Sequence, residues 1–335
     1  MLRKLKSIIG VTVCVAMLAG CTTEPATEKT TTATTKNETS SAAVGNGSEE
    51  VKTVAWITLT NTDWYAAGGK VFEQYCRDAG YQPLVLNGEN DAQKQMDYVQ
   101  SCISQKVYAM GIVPADTAAL APILNEAAKA GIQVYCNVDL TLDGLECDDS
   151  IVFAAFDHKA AGEMCARELA DAIGGSGKVG IIAGKAGSYN VRKRSEGFME
   201  AIQNEYPNIE VVNEIACDWD RAKAMTAAED MLTSNPDIVG FFAMGEEMAY
   251  GAVEAANGQG IDDMKVVCID ASSVTQRLLL EDKLVSAVEC SPQWWAKKYV
   301  ELTQMKENGE KLERKYNYEP NIITKENADP DNYLY

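Results

Sequence analysis

The stretch at residues 178–201, KVGIIAGKAGSYNVRKRSEGFMEA, decides the fold class. Its beginning at 178–183 is a short apolar and β-branched run that is typical of a buried strand. Small and polar residues at 184–190 predict a loop, and apolar residues recur at helical spacing from Val191 onward. The stretch therefore predicts a strand that leads into a helix through a loop at its carboxyl end. In open α/β sheets, this edge is where ligands bind.

Three consecutive cationic residues stand in the first turn of the predicted helix, a position that is unusual for positive charges. Arg192, Lys193 and Arg194 lie near its amino terminus, where the helix dipole favours anions by about 0.3–1 kcal/mol. One interpretation is a solvated face on which Arg192 pairs with Glu196 one turn later. The other is that the planar guanidinium of Arg192 faces a polar ligand.

The chain from residue 51 onward repeats this alternation of strand and helix. In its first half we predict strands at 51–60, 81–86, 108–113 and 132–136, and helices at 64–79, 92–105 and 118–130. In its second half we predict strands at 179–183, 209–216, 238–243, 265–269, 284–288 and 319–323, and helices at 159–173, 191–206, 221–233, 248–257, 274–281 and 292–308. Such alternation is typical of βαβ units. We therefore predict an α/β protein with two doubly wound, Rossmann-like parallel-sheet domains and a ligand cleft between them.

Composition and charge exclude several classes of partner. The chain has 335 residues, a hydrophobic content of 46% and a net charge of −19. Such an acidic surface argues against nucleic acid and against anionic membrane surfaces as partners. The part of the chain beyond residue 50 is long enough to form two domains with their own cores.

The sequence lacks the residue sets of the common catalytic and metal sites. His158 is its only histidine, and neither a G-x-S-x-G nor a C-x-x-C motif occurs. We therefore expect no enzymatic activity, no metal and no cofactor, and we interpret His158 as structural. The cysteines after Cys21 lie mostly in apolar strand and helix patterns, so we expect mostly thiols.

The first 50 residues have the pattern of an exported and anchored protein. Basic residues at 3–6 precede an apolar run that is too short to span a bilayer comfortably, and the sequence LAGC at 18–21 resembles a bacterial lipoprotein cleavage box. We predict a signal peptide at 1–20, lipidation of Cys21 and a flexible tether over 21–50, which is rich in Thr and Ser. The alternative is a plain secretory signal with an incidental cysteine. A tether of this length suits a Gram-positive envelope.

Five segments together carry a specific family resemblance. They are the opening strand and aromatic loop at 56–65, AGSYNVRKRSEGF at 186–198, DWDR at 218–221, EEMA at 246–249 followed by Gly251 and Ala252, and VVCID at 266–270. With them the chain resembles, from residue 51 to about 316, the type I periplasmic binding proteins. The nearest group is the ribose and galactose binders that serve ABC transporters.

The resemblance implies two lobes joined by a multi-strand hinge. The N-terminal ligand-binding lobe would comprise 51–157 and about 291–316. The C-terminal lobe would comprise 158–290 and about 317–335. Ligand capture would then proceed by closure of the two lobes about the hinge.

The resemblance also implies aromatic and hydroxyl contacts to a ligand. Trp64 and Tyr65 match positions where the family stacks rings on a sugar, and Trp219 matches an aromatic contact from the second domain. Thr58 and Thr62 match polar contacts of the first loop. The alternatives are core packing for the first two rings and a plain surface aromatic for Trp219.

Two charged positions also match family contacts. Arg192 matches an arginine that hydrogen-bonds ligand hydroxyls, and Asp270 matches an acidic ligand contact at the end of a strand. The alternative for Asp270 is that it caps the helix that follows Ser272 and Ser273.

Several positions depart from the family pattern. Where the family often has Asp-Arg, this chain has Asn137, Val138 and Asp139, and we predict Asp139 and then Asn137 as ligand contacts. Glu246 stands near a family asparagine and either contacts ligand or favours its helix terminus. Cys290 aligns with a family glutamine, so we include it among the site residues. These changes argue against ribose and ordinary pentoses as the ligand.

These expectations predict an extracytoplasmic, lipid-anchored solute-binding protein of an ABC transporter. Its ligand would be a small polar molecule, most readily a monosaccharide or related polyol. Its partners would be the permease and the membrane through its lipid anchor alone, and the protein would be a monomer. The alternative is a sensor that presents its closed form to a membrane receptor or kinase, and the sequence does not distinguish these two roles.

Overall fold

The computed structural model describes residues 51–138, 144–146 and 149–333. The strands are β1 Thr53–Thr58, β2 Gln82–Asn87, β3 Ala109–Ile112, β4 Gln133–Cys136, β5 Ile151–Phe156, β6 Gly177–Ala183, β7 Ile209–Ala216, β8 Ile238–Ala243, β9 Lys265–Ile269, β10 Ser286–Val288, β11 Lys315–Tyr318 and β12 Ile322–Ile323. The helices are α1 Asp63–Asp78, α2 Ala92–Gln105, α3 Thr117–Lys129, α4 His158–Ala172, α5 Tyr189–Glu205, α6 Arg221–Ser234, α7 Glu246–Gly258, α8 Ser273–Leu280 and α9 Pro292–Glu307.

The described strands form two separate sheets. The first sheet has the order β11-β5-β4-β3-β1-β2, and all of its pairings are parallel. The second has the order β12-β10-β9-β8-β6-β7, and only β12 pairs antiparallel. The central strands are mostly apolar and largely buried on both faces, as parallel sheets covered by helices require. The predicted fold class is therefore confirmed.

Aspartate caps fix the helices that follow several strands. Asp91, Asp116, Asp157 and Asp220 each accept a hydrogen bond from the backbone amide three residues later, at 2.8–3.1 Å. Loss of such a cap typically costs about 1 kcal/mol. Asp157 and Asp220 directly adjoin His158 and Trp219 in sequence, so their caps also fix the backbone beside two residues of the cavity described below.

The chain passes between the two sheets at three places in its described part. It leaves the first sheet after β5, because α4 packs on α5 and on the second sheet. It returns after β10, because α9 packs on α1 and the Trp295 indole donates to the Ala154 carbonyl of β5 at 2.7 Å. The third passage lies at 319–321, between β11 and β12. Three neighbouring crossovers fit the predicted hinge, and the lobe boundaries stay a prediction about which parts move.

Two strand predictions differ from the structure. The sequence predicted one strand at 319–323, whereas the structure has β11 in the first sheet and β12 in the second. Pro320 lies between them and has no amide hydrogen for a ladder, so the chain changes sheet there. The apolar run of β5 was missed altogether, although all of its residues are buried. No helix among the described residues has the length and apolar character that crossing a membrane requires.

Candidate ligand-binding site

A cavity lies where the carboxyl ends of the strands of both sheets meet. It encloses about 790 Å³ together with its open mouth, within the usual range of small-molecule pockets. Its lining follows the strands in turn, with Leu59 and Thr60 after β1, Val113 after β3, Asn137 after β4, His158 after β5, Asn190 after β6, Trp219 after β7, Gly245 after β8, Asp270 after β9 and Cys290 after β10. Both lobes therefore contribute to one site.

Aromatic rings from the first lobe form one wall of the cavity. Trp64 and Tyr65 lie at the start of α1, with ring centroids 4.7 Å apart, and Trp64 also packs edge-on against Trp295 at 5.5 Å. The Trp64 indole donates to the Cys290 carbonyl at 2.5 Å. Trp64 is therefore held in place by the segment between β10 and α9, and Tyr65 completes the apolar surface beside it.

Trp219 faces this wall from the second lobe. It lies in the turn before α6 with φ +64°, and the preceding Asp218 has φ +52°. A Cβ atom at Gly184 would come within 2.2 Å of the indole, so only glycine leaves room for the ring there. The indole Nε1 of Trp219 is buried and has no hydrogen-bond partner in the described structure. The ring is thus placed by the fold, while its N–H group is left for another molecule.

Arg194 is the arginine of the cavity. Its side chain is only 4% exposed. Its Nε donates to His158 Nδ1 at 3.3 Å, and its Nη1 donates to the Met244 carbonyl. No carboxylate among the described residues lies within 4.0 Å of this guanidinium. A polar ligand group can therefore fit between Arg194 and the acidic side chains of the cavity.

Close packing of two helices brings Arg194 beside His158. A Cβ atom at Gly162 of α4 would lie 2.1 Å from the Arg194 carbonyl oxygen of α5. A Cβ atom at Gly197 would lie 2.0 Å from the Lys159 carbonyl oxygen. Glycine at both positions lets the helix backbones touch, which sets the distance between the two functional side chains.

The prediction for Arg192 is wrong on both interpretations. Arg192 is exposed, lies outside the cavity lining and donates back to the Gly187 carbonyl before its own helix. Glu196 pairs with Lys193 at 2.7 Å instead. Successive helical residues are turned by about 100°, so positions 192 and 194 face nearly opposite directions. Arg194 lies four residues before the buried Phe198, so the two side chains share one face of the helix. This spacing can be read from the sequence.

His158 was interpreted as structural, but it lines the cavity. Its side chain is 6% exposed, and burial together with the positive charge of Arg194 holds its imidazole pKa well below the usual value. Because Nδ1 accepts the hydrogen bond from Arg194, the proton of the neutral ring lies on Nε2. This Nε2 is buried without a partner in the described structure. His158 thus offers an unused donor, and its position directly after β5 was the available sequence signal.

Asp270 supplies a poorly compensated carboxylate. It follows β9 in a left-handed conformation with φ +76°. Burial raises its pKa to about 7, the Arg194 charge opposes the shift and Glu246 adds to it. Ser272, not Asp270, caps α8 by accepting from the Thr275 amide at 3.2 Å. The carboxylate of Asp270 accepts a hydrogen bond from the Cys290 thiol, which opposes the rise of its pKa, and it still lines the cavity with acceptor capacity for a ligand.

Glu246 is held by its own lobe. Its Oε2 accepts from Thr275 Oγ1 at 2.9 Å, from the Ser272 amide at 3.2 Å and from the Tyr250 hydroxyl at 3.3 Å. Burial raises its pKa, although these hydrogen bonds oppose the shift. The carboxylate is therefore rigidly placed on the cavity wall.

The remaining predicted site residues fall into three groups. Asn137, Thr62 and Cys290 line the cavity, and Asn137 Oδ1 is buried without a partner in the described structure. Thr58 does not line it, because its hydroxyl is buried in the first lobe and donates to the Thr60 and Leu86 carbonyls. Asp139, like the predicted lipidation site Cys21, lies outside the described residues.

The sequence matches a family model for the periplasmic binding protein domain over residues 53–311. The ribose import binding protein of Bacillus subtilis is 29% identical over 77% of this chain and 82% of its own length. Its counterpart in Escherichia coli is 27% identical over 85% of this chain and 95% of its own length.

Solved structures show the same architecture. An ABC transporter solute-binding protein from Actinobacillus succinogenes, solved with bound D-allose, has a TM-score of 0.77 at 25% identity and covers 83% of this chain and 99% of its own. An ABC transporter solute-binding protein from Bacillus halodurans, solved with bound myo-inositol, has a TM-score of 0.77 at 25% identity. The match covers 84% of this chain and 97% of that one.

Proposed function

The chain belongs to the periplasmic binding protein domain family, and from this premise we propose that it captures a sugar or related polyol outside the cytoplasm for an ABC transporter. It is not proposed as an enzyme, because its relatives are transport binding proteins. The ligand lies in the cavity between the lobes. Closure of the hinge then buries the ligand and presents the closed form to the permease.

One observation carries this proposal, namely three buried polar atoms that have no partner in the described structure. Asn137 Oδ1 from the first lobe is an acceptor, and Trp219 Nε1 and His158 Nε2 from the second lobe are donors. A buried polar atom without a partner typically costs about 1–3 kcal/mol. Hydroxyl groups both donate and accept, so a polyol satisfies all three atoms at once and ties the lobes together.

The other lining residues suit the same ligand. The rings of Trp64 and Trp219 offer apolar surfaces to the C–H face of a sugar ring. A hydroxyl between Arg194 and Asp270 accepts from the first and donates to the second, with the strength of charge-assisted hydrogen bonds.

Two contacts between the lobes support the proposed closure. Lys185, in the loop after β6, donates to the Asn90 carbonyl of the first lobe at 2.7 Å. Tyr189, at the start of α5, packs against the apolar core of the first lobe. Both contacts join the two sheets' halves of the chain away from the crossovers, so we expect them to form on closure and to break on opening.

A thermal-shift screen of the full chain with neutral sugars, cyclitols, amino sugars and sugar acids tests the proposed function. A ligand that binds only the folded protein raises its unfolding free energy by about 2.7 kcal/mol at a hundredfold excess over its Kd. We expect at least one polyhydroxylated compound to raise the melting temperature. No stabilisation by any compound of these classes would contradict the proposal.

Trp219→Phe should weaken binding of the best compound about three- to tenfold, the effect of losing one hydrogen-bond donor. The melting temperature of the empty protein should fall less than in Trp64→Phe, because the lost N–H of Trp219 has no partner there and only ring packing is lost. Trp64→Phe is the matched control: it should lower stability without ligand, because its N–H donates to Cys290. Calorimetric titration and melting of both variants check this. Unchanged affinity of Trp219→Phe would show that the Trp219 N–H does not donate to the ligand.

The proposed location is the outer face of the membrane, with Cys21 as the anchor. Cys21→Ser should move the protein from the membrane fraction into the soluble fraction, because it removes the acceptor for the acyl chains that retain it. Fractionation of cells and the mass of the N-terminal peptide measure this. Membrane retention of Cys21→Ser, together with a wild-type peptide that has no acyl mass, would exclude the anchor.

A further inference from the structure

Acidic side chains from both lobes meet at the mouth of the cavity. Asp63 comes from the start of α1 in the first lobe and Glu247 from the first turn of α7 in the second. Both line the cavity and also an adjoining groove that opens to solvent, where Asp220 joins them. Closing the cleft therefore brings like charges together.

The described cations of this region compensate these acids only in part, and Lys223 beside Asp220 is paired with Asp218 at 2.7 Å. Arg221 lines the groove, but it forms a bidentate pair with Glu254 at 3.2 and 2.5 Å and lies over the Tyr250 ring. Arg194 lies deep in the cavity against His158. Burial raises the pKa of Glu247, and the charges of Glu246, Asp63 and Asp220 add to the shift while Arg221 opposes it. The mouth thus carries excess negative charge.

The described acids at the mouth do not form a metal site. Among the described residues, no group of three or more His, Cys, Asp or Glu side chains is arranged to hold a metal. The Trp219 ring lines both the cavity and the groove between the acids. Carboxylates combined with an indole face are the surroundings in which an organic ammonium group is bound.

A separate observation points to a ligand in the same cavity. Asn137 is 8% exposed and His158 is 6% exposed, and each has a buried polar atom without a partner in the described structure. Both line the cavity whose mouth carries the acids. A ligand that satisfies these buried groups can extend toward Asp63 and Glu247, which line the same cavity.

We propose that the ligand is an aminated polyol, such as an amino sugar or amino cyclitol, whose protonated amine lies at the mouth between Asp63 and Glu247. Its hydroxyl groups meet Asn137, His158 and Trp219 inside. This inference rests on the proposed function and narrows its ligand class. Binding of the ammonium group neutralises the charges that oppose closure, so the amine contributes to both affinity and lobe closure.

Titration of the full chain with matched sets of sugars tests this assignment. Each set contains a hexosamine or an aminated cyclitol, its neutral parent and its N-acetyl derivative, which keeps the polyol but loses the charge. We expect the amine of at least one set to bind ten- to a hundredfold more tightly than the other two members, with a preference that falls at high salt. Glu247→Gln and Asp63→Asn should each reduce this preference about tenfold, because each variant weakens binding of the amine more than binding of the neutral parent.

Glu281→Gln is the control, because it removes the same charge from an exposed position outside the cavity and the groove. It should keep the full preference for the amine. Equal or tighter binding of the neutral or N-acetyl members would overturn the inference and leave the proposed function standing. If Glu281→Gln reduced the preference for the amine as much as Glu247→Gln does, the inference would also be overturned. The reduced preference would then come from the net charge of the protein. Failure of every member to bind would overturn both proposals.

Discussion

Arg194→Met should weaken ligand binding about a hundredfold or more, whereas Arg192→Ala should leave it unchanged. The guanidinium of Arg194 lies in the cavity, and loss of a charged donor typically costs about 1.5–3 kcal/mol. The change also removes the hydrogen bond to His158 Nδ1. Without this donor, the neutral imidazole is no longer held in the tautomer that carries its proton on Nε2. The effect therefore includes the loss of a second donor. Calorimetric titration with the best compound of the screen measures both variants.

Stability must be measured beside affinity, because Arg194 also donates to the Met244 carbonyl. We expect Arg194→Met to unfold at lower urea concentration than the wild type and still to be folded at 25 °C. Arg194→Lys keeps the charge without the planar fork and should bind with intermediate affinity. Loss of affinity in Arg192→Ala, with full affinity in Arg194→Met, would show that the helix register assigned here is wrong.

Asp270→Asn should stabilise the empty protein at pH 8 and weaken ligand binding strongly. The folded-state pKa of about 7 lies above the value of about 3.9 for an unfolded chain. The folded state therefore binds the proton more tightly, and the wild type loses stability as pH rises from about 4 to 7. The full cost is present above pH 7 and amounts to at most roughly 4 kcal/mol.

Urea unfolding of the wild type and Asp270→Asn at pH 4.5, 6 and 8 measures this. The stability difference should be smallest at pH 4.5, grow through pH 6 and reach its maximum at pH 8. Asp237→Asn is the control, because a hydrogen bond from Lys178 lowers the pKa of that exposed carboxyl. Asp237→Asn should be no more stable than the wild type at pH 8. A pH-independent difference for Asp270→Asn would contradict the raised pKa.

The sequence was sufficient for the fold because each strand and helix carries its own pattern. The runs at 209–216, 238–243 and 265–269 match the observed strands residue for residue. The missed strand β5 and the split of 319–323 both lie at crossovers between the sheets. There the partner of a strand is decided by contacts with distant residues, which local patterns do not contain.

The site could be predicted only in part. Loops at the carboxyl ends of strands placed Trp64, Trp219 and Asp270 around one cavity, because parallel strands present these ends together. The choice between Arg192 and Arg194 depends on the rotation of α5, which is set by burial of Phe198 and by the contact of Gly197 with α4. His158 becomes a donor only through that same contact, so its position directly after β5 could mark it as a cavity residue but not as a donor.

The measurement that tests the account most directly is a crystal structure of the protein with the compound that stabilises it most. If a polyol binds as proposed, its oxygens lie within about 3.2 Å of Asn137 Oδ1, His158 Nε2 and Trp219 Nε1. One of its hydroxyl groups then lies between Arg194 and Asp270. A ligand bound elsewhere, or one bound in the cavity while these three atoms stay without partners, would contradict it.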